Sequence, residues 1–125
     1  MSCTTDDDFP PISLQEAVID SVVAPEKLQL DRINKFEVYY SNPSDCHVFF
    51  DFEFYASQND RFIKVITAAN ANRLPCESTD SLGQQKVEFL FQPRNLFTFK
   101  FHFFSGYDSN GLAQYIIKEV DTEVF

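Results

Sequence analysis

The stretch LFTFKFHFF, from Leu96 to Phe104, decides the fold of this chain. Its phenylalanines at positions 97, 99, 101 and 103 alternate with Thr98, Lys100 and His102, which is the two-residue period of a β-strand. A helix would spread these rings around its circumference, whereas a half-buried strand places all four on one side. The pattern therefore predicts a central strand with an aromatic core face and a polar or basic outer face.

A second run of the same kind, VFFDFEFY, extends from Val48 to Tyr55. Alternation puts three of its phenylalanines on one face and Asp51, Glu53 and Tyr55 on the other. Each aromatic face can leave water only by packing on another apolar layer, so the two runs predict sheet packed on sheet. The core face is expected to consist of Phe50, Phe52, Phe54, Phe97, Phe99, Phe101 and Phe103. Four other aromatic residues should point away from the core: Tyr39, Phe49, Tyr55 and Phe104.

Further strands are predicted by the same alternation and by the turn signals between them. They are expected at 28–40, 62–67, 86–91 and 112–120, with a long polar loop over 70–83. Residues 12–23 fit a helix and an edge strand equally well. Six or more strands at this spacing predict an all-β fold, an immunoglobulin-like antiparallel β-sandwich.

Length and charge limit the class of protein. The chain has 125 residues, which suits one domain with one core. An acidic, proline-containing segment over 1–13 is expected to be flexible, and a single β-sandwich domain is expected over 14–125. A net charge of −9 disfavours nucleic acid and anionic membranes as partners, because both are bound through clustered Lys and Arg.

The cysteines and the absence of long apolar runs predict a compartment. The three cysteines are an odd number without a CxxC pair, and no leading segment resembles a signal peptide or a membrane span. These features favour a reduced, cytosolic protein with free thiols and without direct insertion into a membrane.

Patterns typical of catalysis and metal binding are weak. Cys46 and His47 are adjacent and should point to opposite sides of a strand, so no metal or other cofactor is expected. Asp51 and Glu53 share a face about 7 Å apart, as a glycosidase pair could, although a solvated sheet face explains them more simply. The sequence contains no glycine-rich phosphate loop and no GxSxG elbow. The chain is therefore predicted not to be an enzyme and to have no catalytic residues.

Four basic side chains form a possible basic island on this acidic domain: Arg61, Lys64, Lys100 and His102. If the strands of Arg61 and Lys100 are neighbours, these side chains could hold the carboxylate of an acidic peptide while apolar atoms nearby take its aromatic residue. The alternative is a scatter of solvated cations that serve solubility.

An ordered set of motifs extends over residues 35–111. It comprises DFEFYAS at 51–57, the Phe-led strand at 62–67, Leu74-Pro75, the strand and proline at 86–93, and FTFKFHF at 97–103. This order and spacing resemble the ear (appendage) domain of gamma-adaptin and of the Golgi-localised gamma-ear-containing adaptors.

The resemblance implies a function and a site. Domains of this family are immunoglobulin-like sandwiches that recruit accessory trafficking proteins to clathrin-coated vesicles, by binding short peptide motifs with an aromatic residue flanked by acidic ones. The location implied is cytoplasmic, peripheral at trans-Golgi network and endosome membranes through a parent adaptor. By position, the family's shallow peptide pocket would be formed by Ser57, Arg61, Ile66, Ala69, Thr98 and Lys100.

Two positions depart from the family's pattern of one Lys and two Arg. Thr98 stands where the family has an Arg, and Asp60 stands in the place of its Lys, with Arg61 next to it. A different ligand preference is therefore expected. The rival function is a purely structural sandwich, a permanent assembly subunit that buries an exposed aromatic patch of several hundred Å².

Overall fold

A computed structural model of the chain describes residues 11–73, 76 and 84–124. Within these ranges the regular structure is β-strand apart from a 3-10 helix at Ala71–Arg73. No helix in this part of the chain is long and apolar enough to cross a membrane. The strands are β1 (Ile12–Val23), β2 (Lys27–Gln29), β3 (Asn34–Ser41), β4 (Val48–Ser57), β5 (Asp60–Asn70), β6 (Gln85–Phe91), β7 (Thr98–Tyr107) and β8 (Ala113–Glu123).

The strands form one mixed sheet in the order β2-β8-β7-β5-β1-β3-β6, and β4 pairs with β5. One edge of β5 is shared by two neighbours, with β7 beside Asp60–Ile63 and β1 beside Val65–Asn70, so β4 occupies the opposite edge. The all-β prediction is confirmed. A fully antiparallel arrangement is wrong in two places, because β5 pairs with β7 and β2 pairs with β8 in parallel. Between β5 and its parallel neighbour β7, the chain forms β6, which pairs with β3. The connection from β5 to β7 is therefore a crossover.

Strand β1 makes the sheet curl. Its first half, at 12–17, pairs with β5, and its second half, at 18–23, pairs with β3. A register shift between Ile19 and Ser21 marks the bend, as β-bulges commonly do. The half of the sheet formed by β3 and β6 consequently folds back over β5 and β7. Residues 12–23, which fitted helix or edge strand, are therefore the strand that joins the two halves.

The two halves meet through an aromatic core. The ring of Phe36 on β3 lies 4.6 Å from that of Phe101 and 5.9 Å from that of Phe103. Phe91 on β6 lies 5.1 Å from both Phe99 and Phe101. Such tilted and edge-to-face pairs add about 0.5–1.5 kcal/mol each beyond the burial of their area. The predicted core positions of Phe99, Phe101 and Phe103 are confirmed, since all three are buried.

The predicted core positions in β4 are wrong in part, because β4 contains a bulge. Its ladder to β5 shifts between Phe49 and Asp51, which breaks the simple alternation. Phe49 therefore faces the core and contacts Phe52 at 5.1 Å, whereas Phe50 is 54% exposed. Phe54 keeps its ring against β6 but remains 46% exposed at the edge of the sheet.

Two aromatic residues of the LFTFKFHFF stretch also differ from the prediction. Phe97 precedes the first residue of β7 and is 43% exposed. Phe104 points to the outer face, as its position predicts, but is buried there because Tyr107, Tyr115 and Lys64 cover it.

The remaining strands agree with the prediction in position and differ in length. The run at 28–40 divides into β2 and β3 around a turn in which Asp31 adopts a positive φ of 61°. β1 begins at Ile12, within the segment 1–13 that was predicted to be flexible. Residues 1–10 and most of the predicted loop, including Leu74-Pro75, lie outside the described residues.

Cys46 and Cys76 form a disulfide with their Cα atoms 6.0 Å apart. The prediction of free thiols is therefore wrong for this pair. Antiparallel pairing of β4 with β5 brings the segment that precedes β4 and the segment that follows β5 to the same end of the sheet, although 30 positions separate the two cysteines. Disulfides are rare in cytosolic proteins, so the redox state of this pair in cells is a test of the reducing compartment expected from the sequence.

Removing the central core ring should unfold much of the protein. We expect Phe101→Ala to lower the free energy of unfolding by about 3–5 kcal/mol, because the ring is fully buried and leaves a cavity. Phe97→Ala, the same substitution at a half-exposed position, is the matched control and should cost clearly less. Denaturant unfolding of both variants measures the difference. Equal losses would show that the register of β7 is wrong.

Removing the disulfide should also destabilise the fold. Closing a loop of 30 residues is expected to contribute about 3–4 kcal/mol through the entropy of the unfolded chain. Cys46→Ser and Cys76→Ser should each lower the unfolding midpoint, and reductant should lower that of the wild type alone. Alkylation of the denatured, unreduced protein should leave Cys46 and Cys76 unlabelled. Labelling of these two cysteines would contradict the disulfide.

Candidate functional site

The outer face of β4, β5, β7 and β8 carries two parallel rows of side chains. Strand pairing aligns one residue from each strand in the aromatic row, which is formed by Tyr55, Phe62, His102 and Ile117. The next row toward the β4–β5 turn, the charged row, is formed by Ser57, Asp60, Lys100 and Glu119. Neighbouring strands are about 4.8 Å apart, so each row spans about 14 Å.

The aromatic row is a stacked but partly exposed surface. The rings of Phe62 and His102 stack at 4.4 Å with 17° between their planes, and Tyr55 lies 5.9 Å from Phe62. Tyr115 on β8 packs its ring 6.0 Å from both members of the stack. Tyr55 and Ile117 at the two ends remain 63% and 50% exposed. Apolar surface is thus available to a ligand on this face.

Lys100, the cation of the charged row, forms no ion pair with any residue that the structure describes. Asp60 is occupied, since its Oδ1 lies 2.9 Å from Nε2 of His102. Lys100 is exposed, and no carboxylate of the described residues lies within 4.0 Å of its ammonium group. Asp60 and Glu119 nevertheless flank Lys100 in the ladder and reduce the positive potential around it.

Three of the residues predicted from the family lie together at one end of the outer face. Ser57 and Lys100 belong to the charged row, and Thr98 lies two residues before Lys100 on β7. Thr98 is held in place because its hydroxyl donates to Oδ1 of Asp121 at 2.6 Å. These three exposed residues are the part of the predicted pocket that the fold brings together.

Arg61 occupies a different position from the one predicted. Its side chain belongs to the inner face, where the guanidinium lies over the rings of Phe99 at 4.9 Å and Phe91 at 5.8 Å. Its Nη1 donates to the backbone oxygens of Gln58 and Asp60 at 2.6 and 2.9 Å. Burial lowers the pKa of Arg61, and the charge of Asp60 opposes that shift. Arg61 therefore covers the end of the core and is not directed at a ligand on the outer face.

Ile66 and Ala69 lie far from the other predicted pocket residues. Ile66 is on the outer face but six residues along β5 from Asp60, which corresponds to about 20 Å. Ala69 pairs with Ser13, points inward and is buried. The six residues predicted from the family therefore do not line one pocket.

A second outer-face cluster lies beside the aromatic row, around one glutamate. Glu16 Oε2 accepts a hydrogen bond from Lys64 Nζ at 2.6 Å, and its Oε1 accepts one from the Tyr107 hydroxyl at 2.9 Å. The bond from Lys64 lowers the pKa of Glu16, and the same bond raises the pKa of Lys64. The bond to Glu16 raises the pKa of Tyr107. The three side chains satisfy one another, and Lys64 also lies 5.0 Å above the ring of Phe104.

The paired carboxylates Asp51 and Glu53 border an open groove of about 360 Å³ between β4 and β1. Leu14, Phe50 and Ile66 supply apolar surface to this groove. Oδ1 of Asp51 accepts a hydrogen bond from the backbone N–H of Phe52 at 2.7 Å. The groove is a shallow feature of the outer face.

One group of metal-ligand side chains occurs among the described residues, formed by Asp45, Cys46 and Cys76. Their ligand atoms lie within 4.8 Å of one another, but the two sulfurs are bonded together. His47 does not join this group. Its Nδ1 is hydrogen-bonded to the hydroxyl of Ser44.

Sequence reasoning missed the contribution of β8 to this face. Tyr115 and Ile117 alternate at strand spacing and reach the aromatic row only because β8 pairs with β7 in the observed register. Their two-residue period was a signal of a shared face, but the sequence does not state which strand β8 would adjoin.

A scan against family models, a search of curated proteins and a search of solved structures found no match to this chain.

The hydrogen bonds of Glu16 should make stability depend on pH. Because the folded-state pKa of Glu16 is lowered, its contribution is present above the usual Glu pKa of about 4.3 and is lost as pH falls through the lowered value. We expect Glu16→Gln to cost on the order of 1 kcal/mol at neutral pH, and the gap from wild type should close in acid. Urea unfolding across this pH range measures the gap. Glu26→Gln, at an exposed glutamate outside the cluster, is the control, and a gap independent of pH would contradict the assignment.

Proposed function

We propose that this chain is a non-enzymatic peptide-binding domain of the adaptor-appendage kind. Its ligand is a short extended segment that carries an aromatic residue next to an acidic one. The observation that carries the proposal is the position of Lys100, which has no ion-pair partner among the described residues and lies beside a partly exposed aromatic row. A cation next to apolar surface is the combination that an acidic-aromatic segment requires.

The aromatic residue of the ligand would pack against the aromatic row. Tyr55 and Phe62 offer ring edges and faces, and Ile117 offers aliphatic surface at the far end. Rings gain from tilted or edge contacts with other rings as well as from removal of their area from water. The face is shallow and open, so the contact area is small and the expected affinity is micromolar, about −8 kcal/mol at 1 μM.

The acidic residue of the ligand would lie against Lys100. Asp60 and Glu119 flank this ammonium group in the ladder, so a run of acidic residues would meet repulsion on both sides. One carboxylate placed over Lys100 is therefore favoured over several. A preference for a single acidic residue also agrees with the two departures from the family's pattern, because Thr98 and Asp60 stand where the family has cations.

In this proposal the domain is an immunoglobulin-like sandwich that acts in clathrin-dependent traffic at trans-Golgi network and endosome membranes. Its support is the ordered motif set and the packing of the curled sheet's two halves through Phe36 and Phe101. The cytoplasmic location can be tested with the Cys46–Cys76 bond, which the cytosol would keep reduced. Thiol alkylation of protein taken directly from cells should label both cysteines, whereas a protected pair would contradict a cytoplasmic location.

A second function is favoured by the extent of apolar surface on the outer face. Leu14 and Val18 on β1 are 54% and 41% exposed, in addition to the exposed ends of the aromatic row. Large exposed apolar patches mark permanent interfaces as well as ligand sites. The rival is therefore a structural subunit that buries this face in an assembly.

Charge reversal at Lys100 tests the leading proposal. We expect Lys100→Glu to weaken binding of a labelled acidic-aromatic peptide by about tenfold, because a rim attraction becomes a repulsion. Raising the salt concentration should weaken binding to the wild type in the same direction. Fluorescence anisotropy titrations at two ionic strengths measure both effects.

The control is Lys35→Glu, which makes the same change in net charge on β3, outside the outer face. It also breaks the exposed ion pair of Lys35 with Glu88, which should contribute little to stability. It should leave the affinity unchanged, and both variants should keep the fold. Equal affinities for wild type and Lys100→Glu, or no binding at millimolar peptide, would refute the peptide site. A stable oligomer in sedimentation that Tyr55→Ser dissociates would support the structural rival instead.

A further inference from the structure

We propose that the edge of β4 is a second binding site, which accepts an added strand from a partner segment that alternates apolar with basic residues. This site goes beyond the peptide site at Lys100 and has the opposite charge preference. It combines three properties of β4: backbone groups without a ladder partner, phenylalanine rings left uncovered at the edge of the core, and carboxylates on the outer side.

The first property is the free backbone edge. Within the part of the chain that the structure describes, β4 pairs with β5 alone. A two-residue turn joins Ser57 to Asp60, and the residues that flank such a turn form a hydrogen-bonded pair. Alternation from that pair directs the N–H and C=O groups of Phe52, Phe54 and Ala56 away from β5. An added strand would pair with these groups. At Phe52 it would replace the hydrogen bond that the backbone N–H donates to Oδ1 of Asp51 at 2.7 Å.

The second property is the incomplete cover of the core beside this edge. The ring of Phe54 stacks on Phe89 of β6 at 5.9 Å, and Phe52 meets the same ring at 5.3 Å. Phe89 is buried, but Phe54 is still 46% exposed because β4 has no further strand on its outer edge among the described residues. Inward side chains of an added strand would cover Phe54, so apolar residues are required at every second position of the partner.

The third property is the charge on the other side of the edge. Asp51 and Glu53 are exposed on the outer face of β4, and Val48–Ser57 contains no Lys, Arg or Pro. Lys and Pro are two of the means by which proteins keep an edge strand unpaired. A bulge is another, and the bulge of β4 lies before Asp51, outside the residues proposed to pair. Lys or Arg at the outward positions of an added strand would lie beside the two carboxylates. A second copy of β4 would instead bring like charges together, so a basic partner is favoured over a homodimer.

The test uses two synthetic peptides of equal length, one alternating valine with lysine and one alternating valine with glutamate. The lysine peptide should bind, and the glutamate peptide should not. Amide exchange followed by NMR should slow at Phe54 and Ala56, whose N–H groups gain partners, whereas the N–H of Phe52 already donates to Oδ1 of Asp51. The amides of Glu53 and Tyr55 already pair with β5 and should change little.

Two sets of variants separate charge from backbone pairing. Asp51→Lys and Glu53→Lys should each weaken binding of the lysine peptide by about tenfold, and together they should allow the glutamate peptide to bind. Ala56→Pro removes one edge N–H without removing a hydrogen bond to β5. It should therefore weaken binding of the lysine peptide to the wild-type surface and of the glutamate peptide to the double lysine variant. Ala56→Ser, which keeps the N–H, should weaken neither. Each variant must keep the wild-type unfolding midpoint to be counted.

Three results would overturn the proposal. One is equal affinity for the two peptides, and another is binding of the lysine peptide without slower exchange at the edge amides. The third is a dimer of the free protein in sedimentation that Ala56→Pro dissociates, which would assign the edge to a second copy of the chain. Failure here would leave the site at Lys100 untouched, because that site is measured with an acidic peptide and different variants.

Discussion

The contact of Phe36 with Phe101 and Phe103 is the interaction on which the rest of the structure depends. It joins the half of the sheet that contains β3 to the half that contains β7, and it holds together the curl that β1 makes by pairing with one strand from each half. Through these contacts, each half of the single sheet covers the aromatic face of the other half. They also determine which face of β5 and β7 is left outside, and that face carries both rows of the candidate site.

Sequence periodicity predicted those features that depend on one strand at a time. The core positions of Phe99, Phe101 and Phe103 follow from alternation alone, as does the inward position of Phe89 on β6. Alternation failed at β4, where a bulge near Phe50 shifts the register by one residue and exchanges the roles of neighbouring phenylalanines. A bulge depends on the partner strand, so the sequence of β4 contains no clear sign of it. The disulfide was missed for the same reason, since strand pairing brings its cysteines together.

In the candidate site, too, some features follow from a single strand and others depend on strand pairing. Ser57, Thr98 and Lys100 share the outer face because β4 and β7 both pair with β5. Ile66 and Ala69 could have been separated without a structure, since positions three apart on one continuous strand point to opposite faces. The opposite orientation of Ile66 and Ala69 was missed because β5 was predicted to end at residue 67, whereas it continues to Asn70.

Acidic side chains lie beside exposed aromatic area at both proposed surfaces. The net charge of −9 is not spread evenly, because Asp51 and Glu53 lie beside the exposed ring of Phe54, and Asp60 and Glu119 flank Lys100 next to the aromatic row. Like charges at these positions oppose pairing of two copies through either surface, since close approach would bring carboxylates together. The same charges admit a partner of complementary charge. In both proposals the acidic residues beside exposed rings select the partner, because apolar contact is favourable only where the incoming segment brings a compensating cation or reaches Lys100.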